Sequence, residues 1–134
     1  MLDPTGRTIM ISGANRGLGN AIARRLHNDG YNVSVGSRDL DALRRSMDGC
    51  DDNRVLCHRY DATRPGTDAE WVDATIERFG SLSGLVNNAG IIDTAELDVL
   101  TEESLDAMWA VNVKAPFRMI QLALPHLRTD GSGR

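Results

Sequence analysis

Three glycines, Gly13, Gly17 and Gly19, follow the apolar run Ile9-Met10-Ile11 and stand at the head of an amphipathic segment. A buried strand, a glycine turn and a helix in that order can hold a phosphate. The turn needs residues free of the Cβ penalty. The helix then starts with unpaired N–H groups aimed at negative charge. The spacing is G-x-x-x-G-x-G rather than the commoner G-x-G-x-x-G of dinucleotide sites. A flexible connection is the competing account of such a cluster, so the rest of the chain has to decide.

Other residues able to do chemistry fall at regular places. Asp61 follows one apolar stretch, Asn87-Asn88-Ala89-Gly90 follows another, and Asn112 interrupts a helical pattern in which asparagine is a poor helix former. The Asn-Ala-Gly segment is also a good turn, so a structural role for its asparagines stays open. A positioned acid/base pair is harder to find. The tyrosines are Tyr31 and Tyr60, four residues before Val35 and Arg64, and the single lysine is Lys114. Two cysteines, Cys50 and Cys57, are too few for a disulfide framework and read as partly buried thiols in a reduced, cytoplasmic setting.

The elements that must position these groups alternate. Strands are expected at Ile9–Ile11, Tyr31–Val35, Val55–Tyr60 and Leu82–Val86, separated by helices. The first helix carries Leu18, Ala21, Ile22 and Leu26 on one face and closes at Asn28-Asp29-Gly30. The second is capped by Asp39, carries Leu40, Leu43 and Met47 and ends at Gly49. Thr67 and Glu70 read as a capping box for the third, which presents Trp71, Val72, Thr75, Ile76 and Phe79. Thr101 caps a fourth, with Glu102 and Glu103 in its first turn. From Val111 to Leu127 apolar residues cover most faces, which implies a helix buried on more than one side. The tail from Thr129 to Arg134 reads as a turn-rich exit. The fold class is therefore α/β: a three-layer, doubly wound parallel sheet of Rossmann type with strand order 3-2-1-4, its ligand at the carboxyl ends near the switch between strands 1 and 4.

Composition narrows the class. The chain has 134 residues, 41% hydrophobic and 25% charged, and a net charge of -4, which suits one ordinary globular domain and disfavours a nucleic-acid surface. Residues 1–7 lack an apolar leader and no run is long enough to span a membrane.

Taken together, Ser12-Gly13-Ala14-Asn15-Arg16-Gly17-Leu18-Gly19, Asp61, Asn87-Asn88-Ala89-Gly90 and Asn112 resemble the short-chain dehydrogenase/reductase family from about Thr8 onward. The resemblance implies a carbonyl–alcohol oxidoreductase working by hydride transfer with a nicotinamide dinucleotide. It implies that the backbone of Gly13 to Gly19 holds the pyrophosphate, with Ser12 in place of the family threonine bonding toward the Asn-Asn-Ala-Gly loop. Asp61 would meet the adenine amine beside Ala62, Asn88, Ala89 and Gly90 would lie under the riboses, and Asn87 would brace the sheet. Asn112 would be the helix-distorting asparagine of the catalytic set, and Lys114 a surface or interface residue. NAD-preferring relatives carry an acidic residue where this chain has Ser37, so Ser37, Arg38 and Arg16 imply NADP in preference to NAD. No metal site is expected.

The family's serine and Tyr-x-x-x-Lys pair have no counterpart here, so residues 1–134 read as the dinucleotide-binding, N-terminal half of a longer single-domain enzyme. The alternative is a dinucleotide-binding module without chemistry, a sensor or partner subunit. The substrate would be a small carbonyl or alcohol, with Ile91, Ile92 and Asp93 bordering its pocket. The full-length form is expected to be a homodimer or homotetramer.

Overall fold

The computed structural model describes residues 3–129 and 131–134; Met1 and Leu2, before the first expected strand, and Asp130, in the tail, lie outside the described residues. The strands are β1 (Thr8–Ser12), β2 (Asn32–Ser37), β3 (Val55–Arg59) and β4 (Gly84–Val86). They form one parallel sheet in the order β3-β2-β1-β4. The helices are α1 (Gly17–Asn28), α2 (Leu40–Ser46), α3 (Thr67–Phe79), α4 (Glu102–Trp109) and α5 (Ala115–Leu127).

Strand alternation sorts the side chains into two cores. Ile11, Val33 and Val35 point to one face and pack with Ala14, Ala23, Leu43 and Met47 under α1 and α2. Met10 points to the other and packs with Tyr60, Trp71, Val72, Met119 and Ala123 under α3 and α5. Both faces of the sheet are therefore covered, as a parallel sheet requires. On the α3 side Ser34, Trp71 and Thr75 are fully buried. Trp71 Nε1 donates to Ser34 Oγ (2.9 Å), and Thr75 Oγ1 donates to the Trp71 carbonyl (2.8 Å). Thr75 has then spent its proton, so Ser34 is the donor across their 2.8 Å contact. Every polar atom of the trio is satisfied, which removes the cost of burying it. The indole also explains Gly36, where a Cβ would stand 2.7 Å from the ring.

Several boundaries differ from the sequence expectation, each for a physical reason. Strand β2 runs on to Ser37 because Gly36 and Ser37 still pair with Ser12 and Arg59. β4 is short because only β1 flanks its length; on its other side Arg134 alone takes a strand position, its N–H donating to Ser83 and its carbonyl accepting from Leu85. The buried stripe of α1 is Gly19, Ala23 and His27, with Ile22 and Leu26 partly buried, while Leu18 is 70% exposed. Small residues at 19 and 23 let that side approach the sheet, which rotates the stripe away from Leu18 and Ala21.

The capping box at α3 does not form: Thr67 is already helical, and Asp68 Oδ1 instead accepts from the Gly66 and Ala69 N–H groups (3.0 Å each). Asp39 and Thr101 cap as expected, accepting from Ala42 (2.9 Å) and Ser104 (3.2 Å). α5 buries one stripe, Ala115, Met119 and Ala123, and leaves Phe117 60% and Ile120 48% exposed. The expectation of burial on more than one side is not met within these residues.

Candidate functional site

The carboxyl ends of β1 and β4 are neighbours, and their loops are bonded to each other. Ser12 Oγ accepts from the backbone N–H groups of Asn88 and Ala89, both at 3.0 Å. Asn88 Nδ2 returns the link to the carbonyls of Ser12 (3.0 Å) and Gly13 (3.2 Å). The expected bond from Ser12 is thus present, but the brace is Asn88; Asn87 is exposed and makes none of these contacts. Two glycines make room for the weld. Gly13 has φ 68 and donates its N–H to the Gly36 carbonyl (2.8 Å), and a Cβ on it would stand 3.0 Å from both Ala89 and Asn88. A Cβ on Gly19 would collide with the Asn88 amide and the Gly13 carbonyl.

α1 begins straight after this corner. Its N-cap, Arg16, provides no side-chain bond, and its first turn carries no acidic residue. The first N–H groups of the helix therefore face outward with the positive end of the helix dipole uncompensated, an anion-binding geometry.

The corner opens into a cleft of about 370 Å³. Its lining includes Gly13, Asn15, Arg16, Gly17, Ser37, Arg38, Asp61, Ala62, Asn88, Ala89 and Gly90, so most of the residues singled out in the sequence share one wall or another. Of the expected cofactor-binding and catalytic residues, four do not line it. Ala14 is fully buried under the turn, Leu18 projects to solvent, Gly19 lies behind Asn88, and Asn112 stands behind Ile91.

At the β2 end Ser37 is buried, and its hydroxyl donates to the Asp39 carbonyl (2.9 Å), whereas Arg16 and Arg38 are exposed. Across from them Asp61 Oδ1 accepts from the Thr63 N–H (2.9 Å) and hydroxyl (2.7 Å). Burial pulls the Asp61 carboxyl upward, but the two Thr63 bonds, with the charges of Arg38 and Arg64, leave it below the usual carboxylate value. It is an anion at neutral pH. Thr67 Oγ1 closes the same loop onto the Asp61 backbone.

Asn112 sits in a π-helical turn, Ala110–Lys114, where the Ala115 N–H reaches back five residues to the Ala110 carbonyl. Its side chain pairs with both backbone groups of one residue, Nδ2 donating to the Ile91 carbonyl (2.8 Å) and Oδ1 accepting from the Ile91 N–H (2.9 Å). The unusual helix expected around Asn112 is a single wide turn of the kind often found at functional sites. Lys114 is exposed and away from the cleft. Tyr60 also lines the cleft, but burial pushes its phenol up to about 12, so it stays protonated and offers no base near neutral pH.

The sequence reading missed Asp39, Tyr60, Thr63 and Val111 as lining residues. Thr63 had a signal, since an Asp two residues before a Thr forms a local Asx turn.

A parallel sheet with a glycine turn, an open helix N-terminus and a cleft at the strand switch defines a dinucleotide-site α/β fold. A family model described as short chain dehydrogenase matches residues 7–134, and the chain belongs to that family of oxidoreductases. Agropine synthesis reductase of Rhizobium rhizogenes is 43% identical over 127 residues, covering 94% of this chain but 29% of the relative. A short chain dehydrogenase from Burkholderia cenocepacia solved in complex with NADP is 34% identical with TM-score 0.86, covering 94% of this chain and 53% of that one. One from Burkholderia phymatum in complex with NAD is 26% identical with the same TM-score, covering 95% and 46%. The chain thus spans about half of these structures, and less of the reductase.

Among the described residues no helix is long and apolar enough to cross a membrane.

Proposed function

We propose that residues 1–134 are the cofactor-binding part of an oxidoreductase that interconverts a small carbonyl and an alcohol, with NADP(H) favoured over NAD(H). The observation that carries this reading is the cleft itself. A turn with no room for side chains at Gly13 and Gly19 meets an uncapped α1, and two arginines stand at its rim. In this reading the backbone from Gly13 to Gly19, Ala14 and Leu18 included, holds the pyrophosphate. Arg16 and Arg38 hold a 2′-phosphate by charge-assisted bonds. Ser37 adds no negative charge there, and its proton is committed to Asp39, so it shapes the site instead of donating.

Asp61 would accept from the adenine amine through Oδ2, the oxygen not taken by Thr63. Asn88, Ala89, Gly90 and Ala62 would line the ribose and adenine seats. When bound, the dinucleotide supplies hydride transfer. Asn112 fixes Ile91 and with it the wall beside Gly90. The homologues crystallised with NAD and with NADP support either dinucleotide, and the arginines favour the phosphorylated one.

The exposed stripe Trp109, Val113, Phe117 and Ile120 supports self-association of the complete protein as a homodimer or homotetramer, which sedimentation at micromolar concentration tests. A cytoplasmic setting goes with the free Cys50 and Cys57. Titration of the complete polypeptide with NADPH and NADH tests the main reading, with tighter NADPH binding expected. Tighter NADH binding would overturn the cofactor preference, and binding of neither would overturn the assignment.

A further inference from the structure

Beyond the cleft lining, one residue spans elements that the sequence keeps far apart. Arg118 stands on α5, and its guanidinium makes two bonds. Nε donates to Asp68 Oδ2 at 2.8 Å, and Nη2 donates to the Ala62 carbonyl at 2.9 Å. Asp68 is itself anchored, because its other oxygen accepts from Gly66 and Ala69 at the start of α3. Asp68 is 5% exposed and Arg118 29%, so solvent screens this pair little. Ala62 is the lining residue next to Asp61.

The same continuous helical run carries Asn112, six residues earlier, which holds Ile91 on the opposite wall. One helix therefore grips both sides of the cleft through two side chains.

Resting on the cofactor reading above, we propose that Arg118 is a positioning residue for adenine recognition: by fixing the Ala62 carbonyl to α5 and α3, it sets where Asp61 presents its carboxylate to the base. Arginine is suited to the task because its planar fork reaches a carboxylate and a carbonyl together, which a lysine point charge does not. Thr63 and the Arg64 N–H bond Asp61 within the loop, and Thr67 ties the Asp61 backbone and the Arg64 carbonyl to the head of α3, while the tie at the Ala62 carbonyl comes from Arg118. With the guanidinium gone, the Ala62–Thr63 peptide is free to shift, and its N–H, which holds Asp61 Oδ1, carries the carboxylate with it.

The test measures Kd values of NADPH and of its hypoxanthine analogue for the complete polypeptide, with Arg118→Met and Arg118→Lys beside the parent. The analogue lacks the amine that Asp61 would meet. The parent is expected to prefer NADPH. Arg118→Met, which keeps the apolar stem, should weaken NADPH about tenfold, the scale of a lost charged hydrogen bond, and leave the analogue nearly unchanged. The discrimination ratio then falls toward one. Arg118→Lys should recover part of it.

Equal weakening of both ligands means a purely structural tie and overturns the proposal. So does an unchanged ratio in either variant, or a parent that does not distinguish the two bases. If Arg118→Met fails to fold, the ratio in Arg118→Lys decides. A parent that binds neither dinucleotide overturns the functional reading and this inference with it, whereas a parent that discriminates beside variants that match it removes only this inference.

Discussion

The two ends of the cleft are built from different materials. At the glycine corner the parts are backbone, one hydroxyl and one amide: Ser12, Asn88 and the Gly36 carbonyl close on one another, and no side chain beyond Cα fits at Gly13 or Gly19. At the far end the parts are long charged side chains, Arg16 and Arg38 in solvent and Asp61 facing them from a loop held by Thr63, Thr67 and Arg118. The first end is fixed by shape, so a small change there should be severe and indifferent to the ligand's charge. The second is fixed by charge, so a single substitution should retune it without unfolding anything. Within one site, shape and charge are separable.

The largest effect expected lies outside that contrast and bounds it. Residues 1–134 alone should turn over no carbonyl with NADPH, because the cleft holds no acid/base group that titrates near neutral pH. A positioned group of that kind is worth roughly 10²–10⁴ in rate, and loss of substrate positioning adds to it. An assay of folded material shown by mass to be only this chain checks it, and turnover like that of ordinary family members would sink the idea.

Next comes a way to break the shape-fixed end. Gly19→Ala forces a methyl against the Asn88 amide and the Gly13 carbonyl. Overpacking of this kind costs on the order of 1–3 kcal/mol. Thermal melting should show the loss, and NADPH and NADH affinities should fall together. An alanine variant with parental stability and binding would show that the corner yields more readily than its contacts imply.

How much of this was legible in the sequence divides along the same line. The glycine corner could be read from spacing, because a backbone that must turn and approach another backbone excludes every side chain. Strand order followed from the alternation of elements, and Asp39 and Thr101 announced their helices. The interface between loops was harder. Asn87 and Asn88 are chemically identical neighbours, and only the register of β4 decides which one faces Ser12. Arg118 and Asp68 are 50 residues apart, and nothing local marks them as partners. The open side of α5 was misread because apolar residues announce burial without saying what covers them. At α3 the Thr67 and Glu70 spacing matched a box, but the chain enters through Gly66 at φ 101, so Asp68 meets the free N–H groups first.

At the charge-fixed end, Ser37→Asp is expected to reverse the cofactor preference, at some cost in stability because the buried hydroxyl's bond to the Asp39 carbonyl is lost. A carboxylate at the end of β2 would repel a 2′-phosphate and accept from a 2′-hydroxyl instead. A shift of about 1–3 kcal/mol in relative affinity is the scale of one charged hydrogen bond gained or lost. Parallel titrations with both dinucleotides check it, and an unchanged preference would mean that Arg16 and Arg38 do not read the phosphate.

The smallest effect sharpens the comparison through pH. Burial raises the Asp68 carboxyl, but the Arg118 guanidinium and the Ala69 and Gly66 N–H groups outweigh it and hold the group below its ordinary value. In the folded state the proton is therefore bound less readily than in the unfolded chain. The stability this contributes is fully present above the unfolded value of about 3.9 and is lost as pH falls through the lower folded one. Asp68→Asn removes the titration while keeping the shape. The parent should thus exceed the variant in denaturation midpoint at pH 7, and the gap should close as the solution is acidified below about pH 4. The glycine corner contains no titrating group, so the gap between parent and Gly19→Ala should stay constant over the same range. A parent–Asn difference that also stays constant would mean that the loop under Asp61 is held by packing and not by charge.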